Sequence, residues 1–355
     1  MFSRDKVDSD TRMNGEPVIL WSAIVPAILL ASTLVSTVLI LALRPLLTRY
    51  AMAQPNARSS HKAPTAQGGG FAVVATVIIA SYAVVFFLLP GGAAMLRFPI
   101  IFAAIVLMVG VGVIADVHPE NVGWRLLLQT LAVAAVIFTL PSEMRLLPIL
   151  PFPIERIGLV IGGLWFVNLV NFMDGIDWMT VAEVVPVTAA LAIIGLFGML
   201  PLPAIPVSLA LCGAMIGFAY FNRPVAILFL GDVGSLPIGL ILGWLLVLLA
   251  ANGGRTAAIL LPLYYFADST VTLFRRALNG EKVWQAHRSH FYQRAIDRGF
   301  SVIEVVWRVF SVNLVLAILA FLTVLVPTSV VAIAAVISGA ALVGWLLATF
   351  ARGRS

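Results

Sequence analysis

Long apolar segments constrain the fold of this chain more than any other feature of its sequence. There are eleven of them, at 18–43, 70–89, 98–115, 124–140, 156–171, 179–199, 203–221, 235–251, 256–274, 302–325 and 328–350. Most are close to the ~20 residues that a helix needs to cross a bilayer. Hydrophobic residues make up 61% of the chain and charged residues 11%, whereas soluble domains have about 45–50% and about 25%. The sequence therefore predicts an all-α polytopic membrane protein with about 10–11 transmembrane helices.

The positions of Lys and Arg predict which way the chain crosses the membrane. If the odd-numbered segments all end on the same side, that side carries 15 Lys and Arg residues and the other side carries 7. Because positive residues collect on the cytoplasmic side, we expect an extracytoplasmic N-terminal tail (1–17), one transmembrane domain (18–350) and a cytoplasmic C-terminal tail (351–355). This asymmetry accounts for most of the net charge of +6, so no nucleic-acid partner is indicated. The single cysteine, Cys212, excludes a disulfide framework.

The unusual polar residues all fall on the predicted cytoplasmic side. They occupy five stretches, at 44–69, 115–124, 171–178, 222–234 and 275–301. The loops on the other side are short and contain no histidine. We therefore expect one functional surface, built from several loops beneath the membrane.

The first cluster, "RSSHKAPTAQGGGF", combines cationic residues, a hydroxyl and a glycine run. His61, Lys62 and Thr65 precede three glycines at 68–70. This pattern suits a phosphate that is held by the Lys62 charge and by backbone N–H groups. A solvated basic loop that follows the charge rule is an equally open interpretation.

The second cluster places Asp116 at the end of an apolar segment, followed by His118 and Glu120. A carboxylate at a membrane boundary can bind a metal ion or accept a proton. We favour such a role for Asp116. For Glu120 we favour a cap on the following helix.

The third cluster, "NLVNFMDGIDWM", repeats a polar residue every third position. Asn168, Asn171, Asp174 and Asp177 are neighbours if this stretch is helical. An ionisable residue at membrane depth costs roughly 2.5–3.5 kcal/mol on insertion scales. No Lys or Arg lies within ten residues, so packing alone is a poor explanation. These side chains need a cation, a ligand or a partner from another loop.

The fourth cluster, "LFLGDVGSLPIG", sets Asp232 between two glycines at the start of an apolar segment. Mg²⁺ is usually bound by one or two carboxylates together with phosphate oxygens and water. Asp232 is therefore a candidate Mg²⁺ ligand. A helix N-cap formed by Asp232 or Ser235 is compatible with the same spacing.

The fifth cluster spans residues 266–300 and is rich in histidine and arginine. Asp268 lies two helical turns before Arg275, which predicts a structural ion pair. Farther on, a dense cationic patch suits a diphosphate; it comprises His287, Arg288, His290 and Arg294. The charge of an ordinary cytoplasmic loop is the alternative. Zinc is disfavoured because no further His or Cys lies nearby.

Four motifs in this order, "SSHKAPTAQGGG", "NFMDGID", "FLGDVGS" and "HRSHFYQR", resemble those of the polyprenyl-phosphate N-acetylhexosamine-1-phosphate transferases, bacterial enzymes of glycosyltransferase family 4. The resemblance covers roughly Leu43 to Gly299. It implies a multi-helical enzyme of the bacterial inner membrane with a cytoplasmic active site and Mg²⁺ dependence, Mn²⁺ being an alternative ion. It also implies a UDP-N-acetylhexosamine donor and undecaprenyl phosphate as acceptor. The choice of UDP-sugar, the glycan pathway and assembly as a homodimer stay open.

Two departures from the family pattern affect the expected site. The family usually has two adjacent aspartates at the second cluster, assigned to the acceptor phosphate and to proton removal or metal contact, whereas this chain has Ala115 and Asp116. Only Asp116 can inherit that role. The sequence "DWM" replaces the commoner "DGL", so Trp178 is expected to reshape the sugar or lipid pocket.

The clusters and the resemblance together give a set of expected roles. Catalysis is assigned to Asp116, Asp174 and Asp177. The metal ion is assigned to Asp232 and Asn171. Substrate binding is assigned to His61, Lys62, Thr65, Asn168, Asn171, His287, Arg288, His290 and Arg294.

Other classes of membrane protein also use buried acids. A transporter is the main rival, because intramembrane carboxylates mark ion and substrate pathways. It predicts acids near the midplane and an internal repeat, neither of which the sequence indicates. A phosphatidyltransferase acting on CDP-linked lipids would have an Arg shortly after "DG", which is absent here. A catalytically inactive family member is the third alternative, because of Ala115.

Overall fold

The computed structural model describes residues 16–53, 64–88, 94–117, 122–282 and 287–354. Within these ranges the chain forms thirteen α-helices. They are α1 (Glu16–Tyr50), α2 (Gly70–Leu88), α3 (Ala94–Val117), α4 (Val122–Phe138), α5 (Phe152–Met173), α6 (Met179–Ile194), α7 (Ala204–Ala219), α8 (Asp232–Ala251), α9 (Arg255–Leu260), α10 (Leu263–Leu278), α11 (Phe291–Asp297), α12 (Val302–Leu325) and α13 (Ser329–Arg352). The predicted all-α fold is confirmed.

Eight of the helices in the described ranges are long and apolar enough to cross a membrane. Two more, α4 and α7, are apolar but shorter. Ten of the eleven predicted segments therefore coincide with one helix each, and the chain is a multi-pass membrane protein.

The eleventh segment, expected as a single helix over 256–274, is broken, so that expectation is wrong. It forms α9 and α10, which are separated by Leu261 and Pro262. Proline has no backbone N–H and cannot continue the hydrogen-bond ladder of a helix. Because of the break, α10 is a separate helix, and Asp268 is buried near its centre.

A small sheet brings two distant loops together. Its strands are β1 (Met52–Ala53), β2 (Thr65–Gln67) and β3 (Leu228–Phe229), in the order β1-β2-β3. β1 and β2 are antiparallel, whereas β2 and β3 are parallel. Pairing of β2 with β3 places the segment before α2 beside the segment before α8.

Helix α8 is the most enclosed of the long helices, and its first turn touches α2 and α3 at main-chain distance. A Cβ atom at Gly70 would lie 2.2 Å from the Cα of Gly234. A Cβ atom at Gly112 would lie 2.4 Å from the Cα of Val233. Only glycine fits at these two positions, and the contact fixes the end of α8 that carries Asp232.

Candidate active site

A cavity of about 200 Å³ opens where the ends of α5 and α8 meet the small sheet. It is lined by Gln67, Asn171, Asp174, Gly175, Ile176, Asp177, Asn222, Phe229, Leu230, Gly231 and Asp232. Four of the residues singled out in the sequence therefore share one cavity although they come from two separate stretches. These are Asn171, Asp174, Asp177 and Asp232.

Asp232 is the first residue of α8, where the helix dipole favours a negative charge. The Asn171 amide donates to its Oδ1 at 2.7 Å and also to the hydroxyl of Ser235 at 2.9 Å. Arg125 Nη1 lies 3.9 Å from its Oδ2. The N-cap of α8 is Gly231, and no side chain caps this end. The capping alternative for Asp232 and Ser235 is therefore wrong.

Asp116 lies in the last turn of α3, beside Asp232. Its Oδ1 accepts from Gln67 Nε2 at 2.6 Å and from the backbone N–H of Asp232 at 3.2 Å. The neighbouring Ala115 is buried. Asp116 is thus held at the start of α8 as a single carboxylate, just outside the residues that line the cavity.

Asp174 follows directly after α5 and reaches the cavity wall. The Thr180 hydroxyl donates to its Oδ1. Burial, together with the nearby charges of Asp232 and Asp177, raises the pKa of Asp174 to about 7, against the opposing effect of the Thr180 bond. The carboxyl therefore changes charge near neutral pH unless a cation stabilises its ionised form.

Asp177 lies between this cavity and a second one of about 840 Å³. Its Oδ2 accepts from the backbone N–H of Ala226 at 3.0 Å, and the residue is buried. Thr65 lines the second cavity and not the first. The hydroxyl predicted to bind substrate is thus near Asp177 but away from Asp174 and Asp232.

Trp178 has a backbone conformation that is costly for a residue with a side chain. Its φ of 62° is left-handed. Its N–H donates to the Asn222 side chain at 2.8 Å, and its indole N–H donates to the Ala219 carbonyl at 2.6 Å. The indole is thus directed towards the end of α7. Trp178 lines neither of the two cavities, which contradicts the expectation that it reshapes the pocket directly.

The donor set at the cavity suits Mg²⁺. The described residues contain no group of three or more His, Cys, Asp or Glu placed to hold one ion. Three acids on one ion are not needed, because Mg²⁺ commonly takes one or two carboxylates and completes its shell with phosphate and water. Asp232 and Asp174 supply two carboxylates that line the cavity. The Asn171 side chain, from α5, lines it with them.

Some predicted site residues lie elsewhere or outside the described part of the chain. Asn168 donates to Gln129 Oε1 at 2.8 Å and to the Leu164 carbonyl at 2.9 Å. It is buried between α5 and α4 and does not line the cavity, so the structure does not bring it to the site. His61 and Lys62 lie outside the described residues.

The glycine run before α2 does not offer its N–H groups to a phosphate. Gly68 and Gly69 both donate to the Phe229 carbonyl, at 3.1 and 2.9 Å, and Gly70 donates to the Leu230 carbonyl at 3.0 Å. These bonds continue the pairing of β2 with β3. The phosphate cradle expected from the glycines is therefore wrong, and their role is to join two loops.

The cationic patch lies beside the cavity without lining it. Arg288 pairs with Asp297 at 3.0 Å, and the Arg294 guanidinium lies 5.8 Å from the centre of the Phe291 ring. The rings of His287 and His290 stack at 4.8 Å. Both rings also lie 6.4 Å from that of Phe172, near the end of α5.

His290 is 2% exposed and has a buried partner in Asp268. Its Nδ1 lies 3.2 Å from Asp268 Oδ1. Asp268 also accepts from the N–H groups of Phe291 and Tyr292, at 3.0 and 3.2 Å, at the start of α11. Among the described residues it forms no ion pair with Arg275, so that prediction is wrong. Asp268 instead accepts a hydrogen bond from the hydroxyl of Tyr264, four residues before it.

Helix α11 braces the turn that carries Asp174. The Tyr292 hydroxyl donates to the Phe172 carbonyl at 3.1 Å. A Cβ atom at Gly175 would lie 2.0 Å from the same hydroxyl. Asp268 thus positions α11, and α11 positions the end of α5.

Sequence reasoning missed several residues at the site. Gln67 and Asn222 line the cavity, and Arg125 pairs with Asp232. Their only sequence signal was a position beside a motif: Gln67 precedes the glycine run and Asn222 precedes "FLGDVGS" by a few residues. Arg125 was counted only for orientation.

Comparisons with known proteins agree with this geometry. The model of the family described as "Glycosyl transferase family 4" matches residues 98–250. The probable undecaprenyl-phosphate N-acetylglucosaminyl 1-phosphate transferase of Bacillus subtilis (strain 168) is 25% identical over 303 residues, which cover 79% of this chain and 82% of that protein. The phospho-N-acetylmuramoyl-pentapeptide-transferase of Clostridium beijerinckii is 30% identical over 159 residues, or 43% of this chain and 46% of that protein. Residues 98–250, which carry Asp116, Asp174 and Asp232, thus match glycosyl transferase family 4, and the two relatives are named as phospho-sugar transferases.

Proposed function

We propose that this membrane transferase moves an N-acetylhexosamine 1-phosphate from a UDP-sugar to undecaprenyl phosphate. The products are a lipid-diphospho-sugar and UMP. One observation carries the proposal: Asp174, Asp177 and Asp232 converge on a single polar cavity at the ends of membrane helices. The names of the two relatives, which both describe phospho-sugar transferases, support the same class of reaction.

The substrates explain why acids and cations meet at this cavity. In the reaction a phosphate oxygen of the lipid forms a bond to the sugar-bearing phosphorus, and the bond from that phosphorus to UMP breaks. Both substrates are anions, and Asp232 and Asp174, which line the cavity with Asn171, are the residues that would hold Mg²⁺. When bound, Mg²⁺ would stabilise charge on the attacking and leaving oxygens.

The protein's own groups orient this arrangement. Asn171 holds Asp232 by a hydrogen bond, and Arg125 adds positive charge on its other oxygen. Asp177 is fixed by the Ala226 N–H at the entrance to the second cavity. These contacts hold the carboxylates in place before substrate arrives, which lowers the cost of reaching the reactive geometry.

Asp116 would lie near the acceptor phosphate and is the candidate proton acceptor. Its position is set by Gln67 and by the first N–H of α8. A phosphate monoester has a second pKa of about 6, so the acceptor is mostly deprotonated at neutral pH. We therefore favour direct attack by the lipid phosphate, without a covalent enzyme intermediate, and Ala115 does not prevent it.

We also propose the location that this reaction requires. The cavity would face the cytoplasm of a bacterial inner membrane, with the N-terminus outside and the C-terminus inside, because UDP-sugars are cytoplasmic substrates. The charge asymmetry of the sequence supports this orientation.

The test is an assay of product formation in membranes that contain the protein. Membranes are incubated with Mg²⁺, undecaprenyl phosphate and a panel of radiolabelled UDP-N-acetylhexosamines, and label is measured in the lipid extract. We expect label with at least one donor, its loss in the presence of a chelator, and its loss in D232A. The E143Q variant is the matched control, because Glu143 is an exposed acid outside the cavity, and it should keep full activity.

Three outcomes would contradict the proposal. Product formation that is unchanged in D232A would remove the cavity from the mechanism. No lipid-linked product with any donor, from a protein that is folded and inserted, would favour a catalytically inactive scaffold. Solute uptake into vesicles that does not depend on a UDP-sugar would favour the transporter.

A further inference from the structure

A groove of about 450 Å³ runs between α12 and α13, apart from the candidate active site. Trp307 of α12 and Trp345 of α13 lie on its walls and are 53% and 55% exposed. Val315 and Leu342 extend the apolar wall along the helices. The groove shares no lining residue with the cavity that holds the acids.

One positive charge lines this largely apolar groove. Arg308 lies in the second turn of α12 and is half-buried. Its Nη1 donates to the Glu304 backbone carbonyl at 3.1 Å, and its guanidinium lies 4.8 Å from the centre of the Phe300 ring. Within the described ranges Arg308 forms no ion pair with a carboxylate. A charged residue in a membrane helix that has no opposite partner is a candidate for ligand binding.

The one acid on the groove is already neutralised. Glu304 accepts from both the N–H and the hydroxyl of Ser301, at 2.8 and 2.9 Å. Its two carboxylate oxygens lie 3.1 and 3.2 Å from Nη1 of Arg354. Glu304 thus interacts with two arginines, Arg354 and Arg308, and its single negative charge cannot balance both.

Further arginines gather at the same end of the groove. Arg354 follows α13, and its N–H donates to the Arg298 carbonyl at 3.1 Å. Arg352 ends α13. Against these arginines the end of the groove carries the single acid Glu304. Basic sites between membrane helices bind anionic lipid headgroups, and tryptophans favour the membrane interface.

We propose that this groove binds an anionic phospholipid of the surrounding bilayer. One acyl chain lies along the apolar walls between Trp307 and Trp345, and the headgroup phosphate pairs with Arg308. The bilayer lipid is favoured over the polyprenyl phosphate acceptor because none of the candidate catalytic acids lines the groove. A phosphate bound at Arg308 is therefore not at the reacting centre.

The groove also has a route by which its occupant can affect the site. Ile303 lines both the groove and the cavity of about 840 Å³. Asp177 also lines that second cavity. A lipid that orders the first turn of α12 thus orders one wall of the space beside Asp177.

The test measures lipid binding by the purified full-length protein in a neutral detergent. Phosphatidylglycerol, phosphatidylcholine and undecaprenyl phosphate are added separately, and the thermal unfolding midpoint and the lipid adducts in native mass spectrometry are recorded. A ligand that binds only the folded state raises the midpoint. We expect phosphatidylglycerol to raise it and phosphatidylcholine to have a much smaller effect.

The R308Q variant keeps a hydrogen-bonding side chain but loses the charge. We expect its affinity for phosphatidylglycerol to fall about fivefold, the effect of one basic residue near an anionic surface. R49Q is the matched control, because Arg49 lies in the last turn of another membrane helix, α1, and does not line the groove, and its affinity should change little.

Three results would overturn the proposal. One is equal stabilisation by phosphatidylglycerol and phosphatidylcholine. Another is an unchanged affinity in R308Q while its unfolding midpoint without lipid matches that of the wild type. The third is displacement of phosphatidylglycerol by undecaprenyl phosphate together with a raised acceptor KM in R308Q, which would make the groove an acceptor site.

Discussion

The two ends of α5 carry charges that are used in opposite ways. At its start, Glu155 and Arg156 are 3% and 1% exposed, and their side chains hydrogen-bond to the loop that precedes the helix. At its other end, Asn171 and Asp174 face a cavity together with acids from other segments. One helix thus has a closed polar cluster at one end and an open one at the other.

The closed cluster satisfies its charges internally. The Glu155 carboxylate accepts from the N–H groups of Leu146 and Leu147, at 2.6 and 3.0 Å, and from Arg145. Arg156 donates to the carbonyls of the same loop, at 2.7 Å for Pro141. Charges that have such partners stabilise a fold, and of the side-chain atoms of Glu155 and Arg156 only Arg156 Nε is buried without a partner in the described ranges.

The open cluster lacks this balance. Three acids line its cavity and a fourth adjoins it; Arg125 lies 3.9 Å from Asp232, whereas the hydrogen bonds to Asp116 and Asp174 come from neutral groups. Like charges that are buried together are costly unless a cation joins them. The comparison shows what separates a structural cluster from a functional one. Both kinds are buried, but in the structural cluster each charged group has hydrogen-bond or ion-pair partners that balance it.

The largest expected effect is on activity in the open cluster. We expect D232N to lower the rate of product formation about 100-fold or more, because a metal clamp contributes several kcal/mol to the transition state. Its unfolding midpoint should stay the same or rise, because one of the repelling acids is neutralised. Radiolabelled product and thermal unfolding are measured on the same preparation. A large drop in the midpoint with full specific activity would reverse the roles of the two clusters.

The closed cluster should respond in the opposite way. We expect E155Q to lower the free energy of unfolding by about 1.5–3 kcal/mol, the range for a hydrogen bond to a charged group. Activity per folded molecule should not change. Unfolding in denaturant and activity normalised to folded protein provide the two readings. Loss of activity without loss of stability would show that this end of α5 also belongs to the site.

A variant at Asp268 sharpens the comparison, because this acid is buried and satisfied yet supports the open cluster. We expect D268N to lower kcat about tenfold by loosening α11, which braces the Asp174 turn through Tyr292. That corresponds to about 1.4 kcal/mol of the barrier. Y292F, which removes one hydroxyl, should have a smaller effect in the same direction. Steady-state kinetics with varied donor would show whether kcat falls more than KM rises, and a pure fall in stability would contradict the bracing role.

The last expected effect is the pH dependence of stability without Mg²⁺. Asp174 has a pKa of about 7 in the folded chain, and an unfolded Asp has a pKa of about 3.9. Between these values the folded state holds a proton that the unfolded state has released. Stability should therefore fall as pH rises from about 4 to about 7, by at most about 1.4 kcal/mol per pH unit.

Two matched measurements test this pH dependence. D174N removes the titrating group and should flatten the profile of the unfolding midpoint between pH 5 and 7. Added Mg²⁺ should flatten it in the wild type, because the ion stabilises the carboxylate. Identical slopes in the wild type and in D174N would show that Asp174 does not titrate in this range.

The sequence predicts the helices well because each apolar segment carries its own signal. The exception, 256–274, is apolar over most of its length, and the break near Pro262 is local chemistry that hydropathy does not register. The convergence of Asp174 and Asp232 on one cavity was expected from the positions of their segments, and the structure places both on its wall.

Partners that are distant along the chain could not be predicted in the same way. Asp268 was matched with Arg275 by helical spacing, but its partner His290 comes from 22 residues away and depends on where α11 begins. Asn168 fits the three-residue repeat of its stretch, yet the rotation of α5 turns it towards Gln129. Spacing gives neighbours within a helix, whereas the contact between helices decides which face is used.

The close approach of Gly70 and Gly112 to the first turn of α8 has a consequence for how the enzyme can diversify. The first turn of α8 contacts the backbones of α2 and α3 directly, with no side chain between them that could repack. Asp232 therefore cannot shift to suit a different sugar. Variation among donors must come from parts with freedom to change, such as the turn after α5 and the approach to α11. Natural or engineered substitutions that change sugar preference should therefore occur in those loops and not where the first turn of α8 contacts Gly70 and Gly112.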